Sequence, residues 1–246
     1  MKQPKNKWIL PVIAVVVAAA VAAAVFFLCR GESPLTPPVE TTEPTETTQP
    51  AATLPPMETS PTLELGDGLR VLRMDRYAGI YMEDGTNEIV SDVMMLILEN
   101  TSDRDLQLAR IDVAYADQTA WFEVTNLPAG EKVVLLEKER MGFPGEDYLT
   151  VSTRNVVFFQ EPMAVPEGLI EVSGTAGLVK LTNISGDGIP GPIYVYYKNS
   201  AEDLLYGGIT YRVTAAEGLA EGETLTIPAG HYDPEQCRIL AIQTGG

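Results

Sequence analysis

Apolar and polar positions along the chain fall into three stretches. Trp8 to Leu28 is an unbroken apolar run whose last 20 residues, Ile9 to Leu28, carry no charge. A helix of about 20 apolar residues crosses a hydrocarbon core, whereas the core of a removable signal peptide is shorter. The run therefore predicts a membrane-spanning helix over residues 8–28. From Gly31 to Thr62 the pattern collapses: 8 of 32 residues are Pro, 9 are Thr and 5 are Glu, with no aromatic, Lys or Arg. Such a segment cannot bury enough apolar surface to offset its ordering entropy, so residues 29–62 are expected to be a disordered stalk. Its prolines favour an extended geometry with an upper reach on the order of 100 Å.

After Leu63 the pattern changes again. Runs of four to eight β-branched and aromatic residues recur between turn signals, and helical periodicity is weak, which predicts antiparallel sheets. The expected strands lie near 70–74, 89–99, 107–115, 120–124, 133–137 and 149–159, and then near 177–182, 193–198, 208–214, 224–227 and 238–242. The two series repeat one another. Leu96-Ile-Leu-Glu-Asn100-Thr-Ser102 aligns with Leu178-Val-Lys-Leu-Thr-Asn183-Ile-Ser185, and Ile111-Asp-Val-Ala-Tyr115 with Ile193-Tyr-Val-Tyr-Tyr197. Further on, Leu127-Pro-Ala-Gly-Glu131 aligns with Leu219-Ala-Glu-Gly-Glu223. Three blocks in one order predict a duplication, with one β-sandwich domain over 63–161, a second over 162–246, and a boundary where Pro162 and Pro166 interrupt the pattern.

The strand ending in Asn-x-Ser, the alternating strand after it and the Leu-x-x-Gly-Glu turn occur in both copies. In these features the chain resembles the FxLYD-type and related immunoglobulin-like domains of anchored surface proteins of Gram-positive bacteria. The Phe-x-Leu-Tyr-Asp string itself is absent, and Leu204-Leu205-Tyr206-Gly207 is a distant echo of it. The resemblance covers roughly 93–137 and 178–242. It implies an all-β fold of two tandem immunoglobulin-like antiparallel sandwiches acting as binding or spacing modules.

Lys2, Lys5 and Lys7 precede the apolar run, and Arg30 alone follows it closely. The positive-inside bias then keeps residues 1–7 cytoplasmic and places the sandwiches outside the membrane as part of a single-pass cell-surface protein. Ala-x-Ala patterns within Ala18 to Ala24 leave cleavage as the alternative to a retained signal anchor. Residues preceding Cys29 are Phe26, Phe27 and Leu28, not the small residues of a lipid-attachment site. Residues 63–246 hold 29 acidic against 13 basic side chains, and this acidity excludes nucleic acid as a partner.

Candidate chemistry is sparse. Asp84-Gly-Thr-Asn87-Glu88 is the best local oxygen cluster, but its spacing matches no calcium loop, and neither metal nor cofactor is expected. His231, Asp233 and Cys237 supply a thiol, a base and an orienter close in sequence, yet a Cys–His pair works only through contact with the thiolate. No enzyme activity is expected. Cys29 and Cys237 are far apart in sequence and not expected to pair. Asn100 and Asn183 head sequons at the same repeat position, which points to structural turns capped by the Asn side chain and not to glycosylation.

One difference between the copies carries the functional expectation. In the first, Ile111, Val113 and Tyr115 alternate with Asp112 and Ala114; in the second, the outward positions become Tyr194 and Tyr196, followed by Lys198. Tyr194, Tyr196, Lys198, Tyr206 and Tyr211 are therefore expected to line a patch for a protein or glycan partner at the cell surface. The expected function is a membrane-anchored binding or adhesion protein. The alternative is an envelope-assembly or sensory accessory protein that binds neighbouring membrane proteins. An open edge strand would also allow a homodimer.

Overall fold

A computed structural model describes residues 62–145 and 150–245; the predicted membrane helix and all but the last residue of the stalk lie outside them. The described residues are all-β, with thirteen strands and no helix. In the first half these are β1 (Leu63–Gly66), β2 (Leu69–Ile80), β3 (Ile89–Asn100), β4 (Leu106–Tyr115), β5 (Gln118–Leu127), β6 (Lys132–Leu136) and β7 (Thr150–Phe158). In the second they are β8 (Ile170–Thr175), β9 (Leu178–Asn183), β10 (Ile193–Ala201), β11 (Leu204–Ala215), β12 (Thr224–Pro228) and β13 (Cys237–Thr244). Every strand expected from the pattern overlaps an observed one. β1 and β8 were not expected: both are short, and Ile170-Glu-Val-Ser-Gly-Thr175 offers only two large apolar residues to a periodicity argument.

The sheets repeat as the sequence does. In the first half β2-β3-β6 faces β5-β4-β7, and in the second β8-β9-β12 faces β11-β10-β13 in the same order. Leaving aside β1, which pairs on the edge of β2, each half sets six strands around its own hydrophobic cluster. The first core joins Leu96 and Leu98 of β3, Ile111 and Val113 of β4, Phe122 and Val124 of β5, and Val133 and Leu135 of β6. The second joins Val179 and Leu181 of β9, Ile193, Val195 and Tyr197 of β10, and Val213 and Ala215 of β11.

Two features depart from simple repetition. β3 and β6 are buried on both faces: Met94, Leu96 and Leu98 enter the first core, while Val93, Met95 and Ile97 enter a further cluster with Tyr77, Tyr81, Val134 and Leu136. Their continuous apolar runs, Val93–Leu98 and Val133–Leu136, are what burial on two faces demands. Second, β6 pairs with β11 in parallel, Val133 opposite Leu205 and Val134 opposite Tyr206. This pairing fuses a sheet of each half into one seven-stranded sheet, β1-β2-β3-β6-β11-β10-β13. Leu205 and Leu240 of the second half lie in the first half's core, and Leu204 and Tyr206 pack on the cluster behind it.

Candidate functional site

The two Asn-x-Ser turns are built alike. Asn100 Nδ2 donates to the carbonyls of Arg104 (2.9 Å), Leu127 (3.0 Å) and Pro128 (3.2 Å), while its Oδ1 accepts from the Ser102 N–H (3.2 Å) and hydroxyl (2.7 Å). Asn183 Nδ2 donates to Asp187 (2.8 Å), Leu219 (3.1 Å) and Ala220 (2.9 Å), and its Oδ1 accepts from the Ser185 N–H (2.9 Å) and hydroxyl (2.6 Å). Both side chains are fully buried. Each one ties the end of a strand to the turn after it and to the distant Leu-x-x-Gly-Glu turn, 27 positions on in the first copy and 36 in the second, so the recurrence of both blocks in each copy has a single physical cause. The Asn side chain spends its hydrogen-bonding capacity inside the fold.

The five residues expected to share a patch do not share one. Tyr194 and Tyr196 point away from the second core on β10 and are half-buried. They gather Arg212, whose guanidinium lies 5.2 Å from the Tyr194 ring, and Gln243, whose Oε1 accepts from the Tyr196 hydroxyl at 3.2 Å. Tyr211 lies opposite Tyr197 and on the core side, stacked between Tyr197 (5.4 Å) and His231 (4.6 Å). Burial pushes its phenol up to about 12. Tyr206 packs on the cluster behind the first half. Lys198 is 0% exposed. Strict alternation would turn it outward beside Tyr196, but register shifts on both sides of β10, near residues 196–199, break the alternation and turn it inward.

Lys198 has entered the seam between the halves. Its Nζ donates to the carbonyls of Gly207 (2.9 Å), Gly208 (2.9 Å) and Ile209 (2.6 Å). Three N–H groups meet three acceptors, the full donor capacity of an ammonium. Glu83 is buried on the amide side of the same peptide stretch. Its Oε1 accepts from Leu136 of β6 (3.0 Å), and its two oxygens accept from Gly208 of β11 at 3.0 and 2.9 Å. Lys138 adds a contact at 3.7 Å. Burial pushes the Lys198 ammonium down to about 7 and is opposed by the Glu83 charge; burial also raises the Glu83 carboxyl, opposed by the two amides and the lysines. Glu83 escaped sequence reasoning because it sits between strands at Met82-Glu83-Asp84, in a segment with every mark of an ordinary polar turn.

The remaining candidates resolve into packing. Asp84 caps Thr86, and Arg140 holds both Asp84 (2.9 Å) and Glu88 (2.7 Å), so the oxygens of that loop answer a guanidinium. Among the described residues no cluster of His, Cys, Asp and Glu could hold a metal. Cys237 Sγ contacts the His231 carbonyl (3.4 Å) and Asn199 Oδ1 (3.4 Å), while the imidazole stacks on Tyr211. Burial raises the thiol above its ordinary value, the opposite of what an activated nucleophile needs. An open polar groove of about 450 Å³ lies in the first half, lined by Asp67, Ser102, Arg104, Arg154, Asn155 and Phe158 among others. Comparison of the chain with protein-family models, with curated proteins and with solved structures gives no match in any of the three.

Proposed function

We propose that this protein is a membrane-anchored surface binding module, with residues 8–28 as its anchor, 29–62 as its stalk and two immunoglobulin-like sandwiches as its head. The strand order supports the immunoglobulin-like reading: counting from β2 and from β8, each half sets a first, second and fifth strand against a third flanked by its fourth and sixth, as in sandwiches of that type. The observation that carries the binding role is the Tyr194, Tyr196, Arg212 and Gln243 face. Aromatic and Arg side chains on a rigid sheet offer contact area at little entropic cost and dominate measured interface energetics. Arg212 is exposed and, among the described residues, has no carboxylate at ion-pair distance, so its charge is available to a partner. The partner is a protein or glycan at the cell surface.

The test is binding of the full chain, in lipid nanodiscs, to arrayed surface glycans and proteins. The Tyr194→Ala, Tyr196→Ala double variant is expected to weaken the captured ligand by at least about tenfold, as loss of an aromatic anchor does. Unchanged affinity in that variant would sink the assignment of this face.

A further inference from the structure

We infer that two buried charges, Glu83 on the amide side and Lys198 on the carbonyl side of the peptide stretch around Gly208, form a latch that closes the β6–β11 seam, so that the two halves fold and move as one body. The inference holds whether or not the tyrosine face binds a partner. β6 and β11 are in register at only two positions, Val133 with Leu205 and Val134 with Tyr206, too few to fix the angle between two sandwiches. Past Tyr206 the strands part and β11 bulges, with Gly207 at φ +83°. The Glu83 carboxylate fills the gap and takes the amides of Leu136 and Gly208, one from each half, as a neighbouring strand would.

Lys198 closes the other side of the bulge by occupying the carbonyls of residues 207–209. The position admits no side chain: a methyl at Gly208 would sit 1.7 Å from the Glu123 carbonyl oxygen of β5. Thr125 of β5 meets Thr210 of β11 at 2.9 Å, and Arg238 of β13 meets Glu131 at 3.0 Å. Leu205 and Leu240 complete an apolar core that belongs otherwise to the first half. A hinge that opened here would expose those leucines and let both charges hydrate. A buried ammonium and a buried carboxylate on opposite sides of one peptide stretch stay dry only where the surrounding packing holds that stretch in place, and buried charges of this kind can serve to fix one arrangement among several.

Hydrogen exchange on the full chain in nanodiscs tests the inference. In the native protein the slowest amides of β3 and β4 are expected to exchange at one common rate with those of β9 and β10, because both are released by the same global opening. Lys198→Ala should accelerate both sets together by at least about tenfold. Acceleration confined to the second half overturns the latch. The double variant Glu83→Met, Lys198→Met removes both charges and the amide acceptor at nearly constant volume and guards against a misfolded single variant. In it the Leu136 and Gly208 amides should lose protection, and their unchanged protection would also overturn the latch. The native chain decides alone if neither variant accumulates: one common slow rate supports the inference, and two separate rates refute it.

Discussion

β4 and β10 occupy the same place in the two halves and do different things. On β4 the outward Asp112 is clamped by Arg154, at 2.7 Å for one contact, and by Arg110 (3.3 Å), whose guanidinium lies 4.1 Å from the Trp121 ring. Burial pushes the Asp112 carboxyl up, but the hydrogen bonds and charges of the two arginines outweigh it and hold it below its usual range. That face is electrostatically satisfied. On β10 the same positions are Tyr194 and Tyr196, and the cation over the ring, Arg212, has no acidic partner there among the described residues. Where β4 ends in a turn at Ala116, β10 runs on through a bulge to Lys198 and the seam. The two halves share the topology and the Asn turns; they differ on this outward strand face and its continuation, and in the second buried face of β3 and β6.

The sharpest way to break the comparison is at its end. Lys198→Ala leaves the carbonyls of residues 207–209 without their buried donor and removes a charge that offsets Glu83, and should cost on the order of 3 kcal/mol, whereas Ala116→Lys at the equivalent exposed turn should change stability by less than about 0.5 kcal/mol. Chemical denaturation of both variants gives the contrast directly; equal effects would erase it. At the shared turns the halves should instead behave alike. Asn100→Ala and Asn183→Ala each strand three carbonyls and a Ser N–H, for a loss on the order of 3 kcal/mol apiece. A loss at one site only, in the same melts, would mean that the two turns are not equivalent.

The pH response of Lys198 sharpens the picture further. Its folded value of about 7 lies below the ordinary 10.5, so between those values the unfolded chain holds a proton that the folded chain lacks. Stability from this group therefore rises with pH across that window and is flat below it. The advantage of native protein over Lys198→Met should drift in favour of the native chain from pH 7 to pH 10. A flat difference would show that the ammonium keeps its proton throughout. The Glu83 carboxyl, raised above 4.5, has the opposite sense: its contribution is complete in acid and declines as pH rises through its folded value.

Smaller effects belong to the outward faces. Tyr194→Ala and Tyr196→Ala should each cost under about 1 kcal/mol of stability, far less in proportion than their effect on binding. Asp112→Asn should cost about 0.5–1 kcal/mol, the ordinary worth of a partly exposed ion pair, and leave binding unchanged. Thermal melts paired with the nanodisc binding assay separate the two faces. Partner loss on Asp112→Asn would move the binding site to the first half.

The sequence by itself determined the β class, eleven of the strands, the duplication and the Asn turns. Alternation and turn chemistry act over a few residues, and a repeated block reports a repeated local geometry. It could also show that β10 exchanges Asp112 and Ala114 for tyrosines, because a strand's outward positions can be counted wherever its register is regular. Only the tertiary structure decided that Lys198 turns inward, that Tyr206 and Tyr211 leave the tyrosine face, and that Glu83 matters at all. A bulge resets alternation without leaving a residue signature, and a buried carboxylate is defined by amides 53 and 125 positions away. The parallel pairing of β6 with β11 was equally invisible, because two short apolar runs far apart in the chain carry no mark of the neighbour they will meet.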